Sequence, residues 1–341
     1  MFLVSDTELR RLVPMRDAIA AVAEAFVAVS DGSADQPPRM AFSDGSGLAM
    51  MARRSPGEAA GDGAAFKLVT LRTQNRAAGL PTLHALVLWF DSEHGSPRLL
   101  IEGTSLTALR TGAASGVATD LLAAPEAATL AVIGAGAQAA DQIRAVCAVR
   151  PIERVRIFSP GGASAPRLAA LLAPELAGVE LQSASSSAEA TEGADVVCTA
   201  TNAASPVVSA GAVAGRVHLN AVGSFRPEMR ELPGELIEAA EILAVDQIEA
   251  AMSEAGELIA ALESGARRPE EIRELGELLL APPRAPSALT IFKSVGVAMQ
   301  DWAICRLVNE RISPGSAEIE LRTDEGARVL GSSARSLAQK R

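Results

Sequence analysis

Two stretches of this chain hold residue types whose spacing suits chemistry. The first is "AAFKLVTLRTQNRAAGLPTLHA", Ala64 to Ala85, which contains Lys67, one of three lysines (with Lys293 and Lys340) among 31 basic residues. A guanidinium stays protonated, whereas an amine removed from water can exchange its proton near neutral pH. An amine kept among Phe66, Leu68, Val69 and Leu71 therefore reads as an acid or base rather than a solvated charge.

The second stretch, "TLAVIGAGAQAADQIRAVCAV", places Gly134, Gly136 and Ala139 between an apolar strand and the opening of a helix. In G-x-G-x-x-A the first glycine permits a tight turn and the second lets the backbone approach a pyrophosphate. The small third residue lets helix and strand pack closely, and the phosphates lie at the helix N-terminus. The next strand ends "VRIFSPGGASAPR", with no Asp or Glu for a ribose 2′-hydroxyl and no Arg directly after it. Ser159, the backbone at Gly161 and Gly162, and Arg167 are the groups that could receive a 2′-phosphate. The expected cofactor is NADP(H) or NAD(H), with a lean to NADPH.

Apolar positions Ile19, Val22, Phe26 and Val29 predict a helix from Pro14 to Ser30. Ala65 to Leu71, Thr82 to Phe90 and Arg98 to Ile101 read as strands joined by turn-rich segments, the pattern of an antiparallel sheet. From Thr104 a small-residue helix follows, and beyond Pro125 strands and helices alternate to about Leu280. The strands expected there are Thr129 to Ile133, Arg154 to Phe158, Val179 to Gln182, Val196 to Thr199, Val217 to Val222 and Ile242 to Val245, which together mean a parallel, doubly wound sheet. Ala281 to Ala288 reads as a linker, and "TIFKSVGVAMQDWAICRLVNERI" as one amphipathic helix packing back on the first domain.

At 341 residues the chain has room for two domains. Apolar residues at 48%, charged at 21%, aromatics at 3% and no Tyr leave a globular core built from Ala, Leu and Val. A net charge of −10 without a basic cluster argues against nucleic acid, and no run of eighteen apolar residues suggests a membrane span. Cys147, Cys198 and Cys305 have neither disulfide nor metal-ligand spacing and read as buried thiols in a reducing compartment. With an N-terminus too soon charged for a signal peptide, a cytoplasmic location is expected. His84, His94 and His218 are too scattered for a metal site, and none is expected. The acidic stretch from Glu254 to Glu277 reads as a solvated helical face. A helix start accounts for Lys293 without catalysis, and Asp301 either orients a neighbour or faces water.

Four segments in order, "FKLVTL…GLPTLHALVLWFD", "EGTSLTALRTGAASG", "AVIGAGAQA" and "LNAVGSFRPEMREL", followed by "IFKSVGVAMQD", resemble the ornithine cyclodeaminase and mu-crystallin family from about Pro37 to Asp301. The resemblance implies a central Rossmann domain (113–292) and an α+β substrate and dimerisation domain (1–112 with 293–341), assembled as a homodimer. It implies that Arg39 in "PPRM" and Arg110 in "TALRT" hold the carboxylate of a small imino- or amino-acid substrate, that Lys67 is the active-site lysine, and that Thr82 lies at the substrate. It further implies that Thr111, Gln138 and Ser294 contact the cofactor beside the Gly134, Gly136 and Ala137 turn and Ser159, that Thr199 or Thr201 lies along it, and that Asn220 and Val222 flank the nicotinamide.

Cyclodeaminases of this family carry an Asp two residues before the Pro of "VGxxxP"; this chain has Phe225 in "VGSFRPEMREL", with Met229 where a Lys is usual. A phenyl ring cannot transfer a proton. The segment is closer to the reductase branch, so the expected reaction is NAD(P)H-dependent reduction of a ketimine α-carboxylate. Candidates are Δ1-pyrroline-2-carboxylate to proline and Δ1-piperideine-2-carboxylate to pipecolate. The rivals are ornithine cyclodeamination or amino-acid oxidation, and a protein that binds NADPH and a small ligand without turnover.

Overall fold

The computed structural model describes residues 1–55, 63–213, 215–284, 288–313 and 315–319. The chain divides into two units: Met1–Pro14, Ala34–Thr107 and Asp301–Arg341 form the first, Met15–Ser33 and Ala108–Gln300 the second.

In the first unit β1 (Phe2–Val4), β2 (Ala34–Asp35), β3 (Met40–Ala41), β4 (Gly47–Arg54), β5 (Gly63–Leu71), β6 (Leu83–Asp91) and β7 (Pro97–Glu102) make one sheet, ordered β1-β7-β6-β5-β4-β2 with β3 also on β4. The β4-β5-β6-β7 ladders are antiparallel, as the turn-rich connections predict. β4 was not among the expected strands, because "GLAMMARR" lacks the β-branched residues that mark one. Burial alternates along the strands, with Ala52, Ala65, Val87, Trp89, Leu99 and Ile101 on the buried face. α1 (Asp6–Leu12) is capped by Ser5, whose hydroxyl accepts from the Glu8 N–H.

α3 (Gly103–Leu122) begins in the first unit and continues into the second, where α2 (Met15–Ser30) also belongs. These boundaries differ from those expected because Phe26 packs edge-on against Phe292, with ring centroids 6.1 Å apart, and Ser30 donates to Glu274 at 2.7 Å. The second unit's sheet holds β8 (Thr129–Ile133), β9 (Arg154–Phe158), β10 (Glu180–Ser183), β11 (Val196–Thr199), β12 (His218–Ala221), β13 (Ile242–Val245), β14 (Ile272–Glu274) and β15 (Thr290–Lys293). All its pairings are parallel, in the order β10-β9-β8-β11-β12-β15-β13-β14. The 3-2-1-4-5 run of a Rossmann sheet is intact, and β15 is inserted beyond it.

That insertion corrects the C-terminal reading. "TIFK" is a buried strand, and the helix that follows, α11 (Ala298–Arg311), begins only at Ala298. A short apolar run looks alike in a buried strand and a buried helix, so the sequence pattern does not separate the two. The acidic stretch is likewise no continuous face: it holds α9 (Gly256–Glu263), β14 and α10 (Leu275–Leu280), and Glu257 is buried. Of the expected linker Ala281 to Ala288, residues 285–287 lie outside the described residues. Cys198 and Cys305 are buried, while Cys147 is only partly so. Burial pushes the Cys147 thiol up to about 12, and Cys198 is likewise held near 12. Among the described residues no helix is long and apolar enough to cross a membrane, and no His, Cys, Asp and Glu side chains group as a metal site.

A buried polar chain crosses this sheet. His218 Nδ1 lies 2.9 Å from Thr290 Oγ1 and Nε2 3.2 Å from Asn220 Oδ1, while Asn220 Nδ2 donates to Thr119 at 2.9 Å. Burial pushes His218 from 6.5 down to about 3, against the hydrogen bond that the ring makes to the Asn220 amide oxygen. The unfolded chain therefore takes up a proton that the folded chain refuses, so stability is full above the ordinary histidine value and falls as the pH drops toward about 3. At 1.36 kcal/mol per pH unit, the loss between pH 7 and pH 5 is about 2 kcal/mol. Urea unfolding at both pH values should show it, and His218→Gln should remove that increment of acid sensitivity.

Candidate active site

Lys67 sits in the middle of β5 on its buried face, in the cross-strand row Met50–Lys67–Val87–Ile101. The period of two that buries Ala65 and Val87 also takes the amine out of water, leaving Lys67 3% exposed. An ammonium so placed needs a counter-charge, and Asp301 supplies it: Nζ lies 2.7 Å from Oδ2, with Asp301 1% exposed. Asp301 is in the first turn of α11, where the helix dipole favours a carboxylate. The next residue, Trp302, fixes that turn by donating Nε1–H to the Gly63 carbonyl at 2.8 Å and packing against Trp89.

Arg39 and Thr82 are half-buried in the same unit. Arg39 directly precedes β3, whose Met40 pairs with Ala49, and the next residue on β4, Met50, pairs with Lys67. Thr82 precedes β6, and its carbonyl accepts from the Arg72 N–H at 2.7 Å.

In the second unit the glycine turn leaves β8. Gly134 has φ +105°, and a Cβ there would stand 2.5 Å from the Ala200 carbonyl oxygen. At Gly136 a Cβ would meet nothing within 4 Å, so the space beside it is open. α4 (Ala139–Val149) begins without a side-chain cap, and among the described residues the buried Oε1 of Gln138 has no hydrogen-bond partner. Open space, a helix N-terminus without a side-chain cap and the Gln138 amide beside it fit a pyrophosphate. Strand order reverses between β8 and β11, so this is also the sheet's switch point.

Thr199, Thr201 and Val222 lie at or just past the carboxyl ends of β11 and β12, while Ser159 follows β9 and Ser294 follows β15. Several of these side chains are engaged internally. Thr199 Oγ1 donates to Glu231 at 2.9 Å, Asn220 belongs to the His218 chain, and Ser294 Oγ donates to Asp246 at 2.8 Å. Asp246 also accepts from the N–H groups of Val295 and Gly296, which fixes that loop. Arg110, buried on α3 beside Thr111, donates to Gln300 Oε1 at 2.5 Å. It packs so closely on Gly296 (φ +81°) that a Cβ there would come within 2.5 Å of its Nη1.

The pattern of the ornithine cyclodeaminase/mu-crystallin family matches residues 1–316. The chain belongs to that family. Among members of the family, a Δ1-pyrroline-2-carboxylate reductase of Bacillus cereus is 36% identical over 318 residues, 91% of this chain and 96% of the relative. The Thermococcus litoralis Δ1-pyrroline-2-carboxylate reductase, solved with NADH and L-proline, superposes with a TM-score of 0.84 at 34% identity, covering 91% of this chain and 97% of that one. An archaeal alanine dehydrogenase dimer with bound NAD gives 0.81 at 31% identity, covering 91% and 95%.

Sequence reasoning did not single out Glu231, Glu257 or Asp246, and it left Asp301 undecided. Glu231 and Glu257 look like surface acids in a chain with 41 of them. Lys293 had a usable signal, since the scarcity of lysine that marks Lys67 marks it equally.

Proposed function

We propose that this chain reduces a ketimine α-carboxylate with NAD(P)H, with Δ1-pyrroline-2-carboxylate to L-proline, or Δ1-piperideine-2-carboxylate to L-pipecolate, as the reaction. The observation that carries the reading is the buried Lys67–Asp301 pair, an ammonium held at 2.7 Å from its carboxylate on the inner face of the first unit's sheet. A bound dihydronicotinamide supplies the hydride, and the Gly134–Gln138 turn at the start of α4 would hold its pyrophosphate. Lys67 donates a proton or hydrogen bond to the imine side of the substrate, keeping the C=N carbon electrophilic, and recovers its proton from solvent after turnover. Arg39 and Arg110 take the carboxylate as charge-assisted, two-point partners. Phe225, half-buried with the Arg226 guanidinium 5.6 Å from its ring centroid, offers no base for the deaminating cycle.

Mixing the protein with Δ1-pyrroline-2-carboxylate and NADH or NADPH, and following the loss of reduced-nicotinamide absorbance, tests this. Turnover with the imine and none with L-ornithine plus NAD⁺ is expected. Proline and ammonia from ornithine would move the assignment to cyclodeamination, and dinucleotide binding without turnover on any imino acid would move it to a binding protein.

The active form is a homodimer. On the outer face of the first unit's sheet, Met40 (60% exposed), Leu68 (52%) and Leu86 (50%) line up through the registers Met40↔Ala49, Ala49↔Leu68 and Leu68↔Leu86. Phe66 and Leu88 continue the apolar row beside them. An exposed apolar row on a sheet face suits an interface, and in a two-fold pair the second copy presents the same row. Leu68→Lys with Leu86→Glu should give a monomer by sedimentation equilibrium; an unchanged mass would reject this face.

A further inference from the structure

The carboxyl edge of the parallel sheet carries a buried charge network that the reaction above leaves unused. Lys293, the last residue of β15, is fully buried, and its Nζ donates to the Ala221 carbonyl at 3.2 Å, the Ser224 carbonyl at 2.6 Å and Ser224 Oγ at 2.7 Å. Those bonds use the three donors of an ammonium. Ser224 Oγ donates onward to Glu257 Oε2 at 2.6 Å, and Glu257 Oε1 stands 3.6 Å from the amine. From the other side Glu231, also fully buried, accepts from Gly223 N–H at 2.6 Å, Ser224 N–H at 3.3 Å, Thr201 N–H at 2.7 Å and the Thr199 hydroxyl at 2.9 Å.

One short segment, Ala221 to Ser224, is thus held by its carbonyls through Lys293 and by its N–H groups through Glu231. The same Glu231 ties it to the loop that leaves β11. A side chain at Gly223 would collide with the Thr201 backbone and with Glu231, so the two loops are in contact. Burial pushes the Glu231 carboxyl up, opposed by the charge of Lys293 and by the N–H of Thr201 and of Gly223. Since every group facing it can donate, the ionised form is the one whose oxygens are satisfied. Burying two acids and a base costs several kcal/mol per ion, and apolar side chains would fill the same space at least as stably. The location supplies the reason. These loops follow the carboxyl ends of β11 and β12, where open parallel sheets bind ligands, and Ala200 of the first of them packs against the Gly134 turn.

We propose that Lys293 and Glu231 are positioning residues that hold the Ala221–Ser224 and Thr199–Thr201 backbones as the wall against which the dinucleotide lies. The inference rests on the dinucleotide reading of the glycine turn. It requires that the network set cofactor affinity and not only stability, and a charge-neutral double variant separates the two. Lys293→Met with Glu257→Gln removes the buried charge pair but also the bonds to the Ala221 and Ser224 carbonyls. NADH and NADPH are titrated by nicotinamide fluorescence, and unfolding is followed in the same samples. The expected result is an unfolding midpoint close to the parent's with dissociation constants at least tenfold weaker. Recovery of both stability and affinity would overturn the proposal, leaving the network as charge compensation alone. Should the double variant not fold, Glu231→Gln, which keeps the size of the side chain, decides: affinity at least threefold weaker in the folded variant supports positioning, and parent-like affinity rejects it. A parent that binds neither dinucleotide overturns this inference together with the dinucleotide reading, whereas a binding parent with a recovered variant overturns this inference only.

Discussion

Lys67→Met is expected to leave dinucleotide binding at the parent level while lowering kcat on the imino acid by about 10²- to 10⁴-fold, the usual contribution of a positioned proton donor. Methionine keeps the length of the side chain, so the row Met50–Lys67–Val87–Ile101 stays filled. The substitution takes from Asp301 the cation 2.7 Å away, and breaking one side of a buried ion pair costs about 3–5 kcal/mol. Unfolding measurements should show that loss. Adding Asp301→Asn should recover most of the stability and none of the turnover, which separates the chemical role of the amine from its structural one. His84→Ala, at an exposed position, serves as the mild control. A Lys67→Met enzyme within threefold of the parent would remove Lys67 from the proton-donor role.

Gly134→Val should abolish dinucleotide binding, by at least a hundredfold in dissociation constant, and cost about 1–3 kcal/mol of stability. The residue sits at φ +105°, where an L side chain is strained, and its Cβ would stand 2.5 Å from the Ala200 carbonyl oxygen. Gly136→Ala is the informative companion. Nothing among the described residues lies within 4 Å of a Cβ there, so that variant should fold as stably as the parent and, on the proposed placement of the pyrophosphate, still bind NADH and NADPH more weakly. Fluorescence titration beside thermal unfolding reads both. Parent-like affinity in Gly136→Ala would mean that the dinucleotide backbone does not approach this turn.

Much of this molecule is legible from local pattern. The expected strands from Thr129 to Val245 fall within a few residues of those observed, because each is a short apolar run bounded by turn residues, and β8 with its glycine turn carries its own signature. The antiparallel strands around Lys67 are legible for the same reason. What failed was the region where burial removes the pattern. β15 is buried at every residue and lies between β12 and β13, so neither a period of two nor one of 3.6 shows in "TIFK". That miss hid Lys293 behind a supposed helix start and displaced Asp301 from the first turn of α11.

The sequence by itself determined the family, the parallel sheet with its glycine turn, and a scarce amine set among apolar residues at position 67. All three depend on residue type and near spacing, which the chain states directly. The tertiary structure alone decided which acids are buried partners. Asp301 is 234 positions from Lys67 along the chain, and Glu231 and Glu257 look no different in sequence from the solvated acids around them. A carboxylate becomes a counter-ion only when folding removes its water and brings a donor to it, and that depends on contacts between segments that no local spacing encodes.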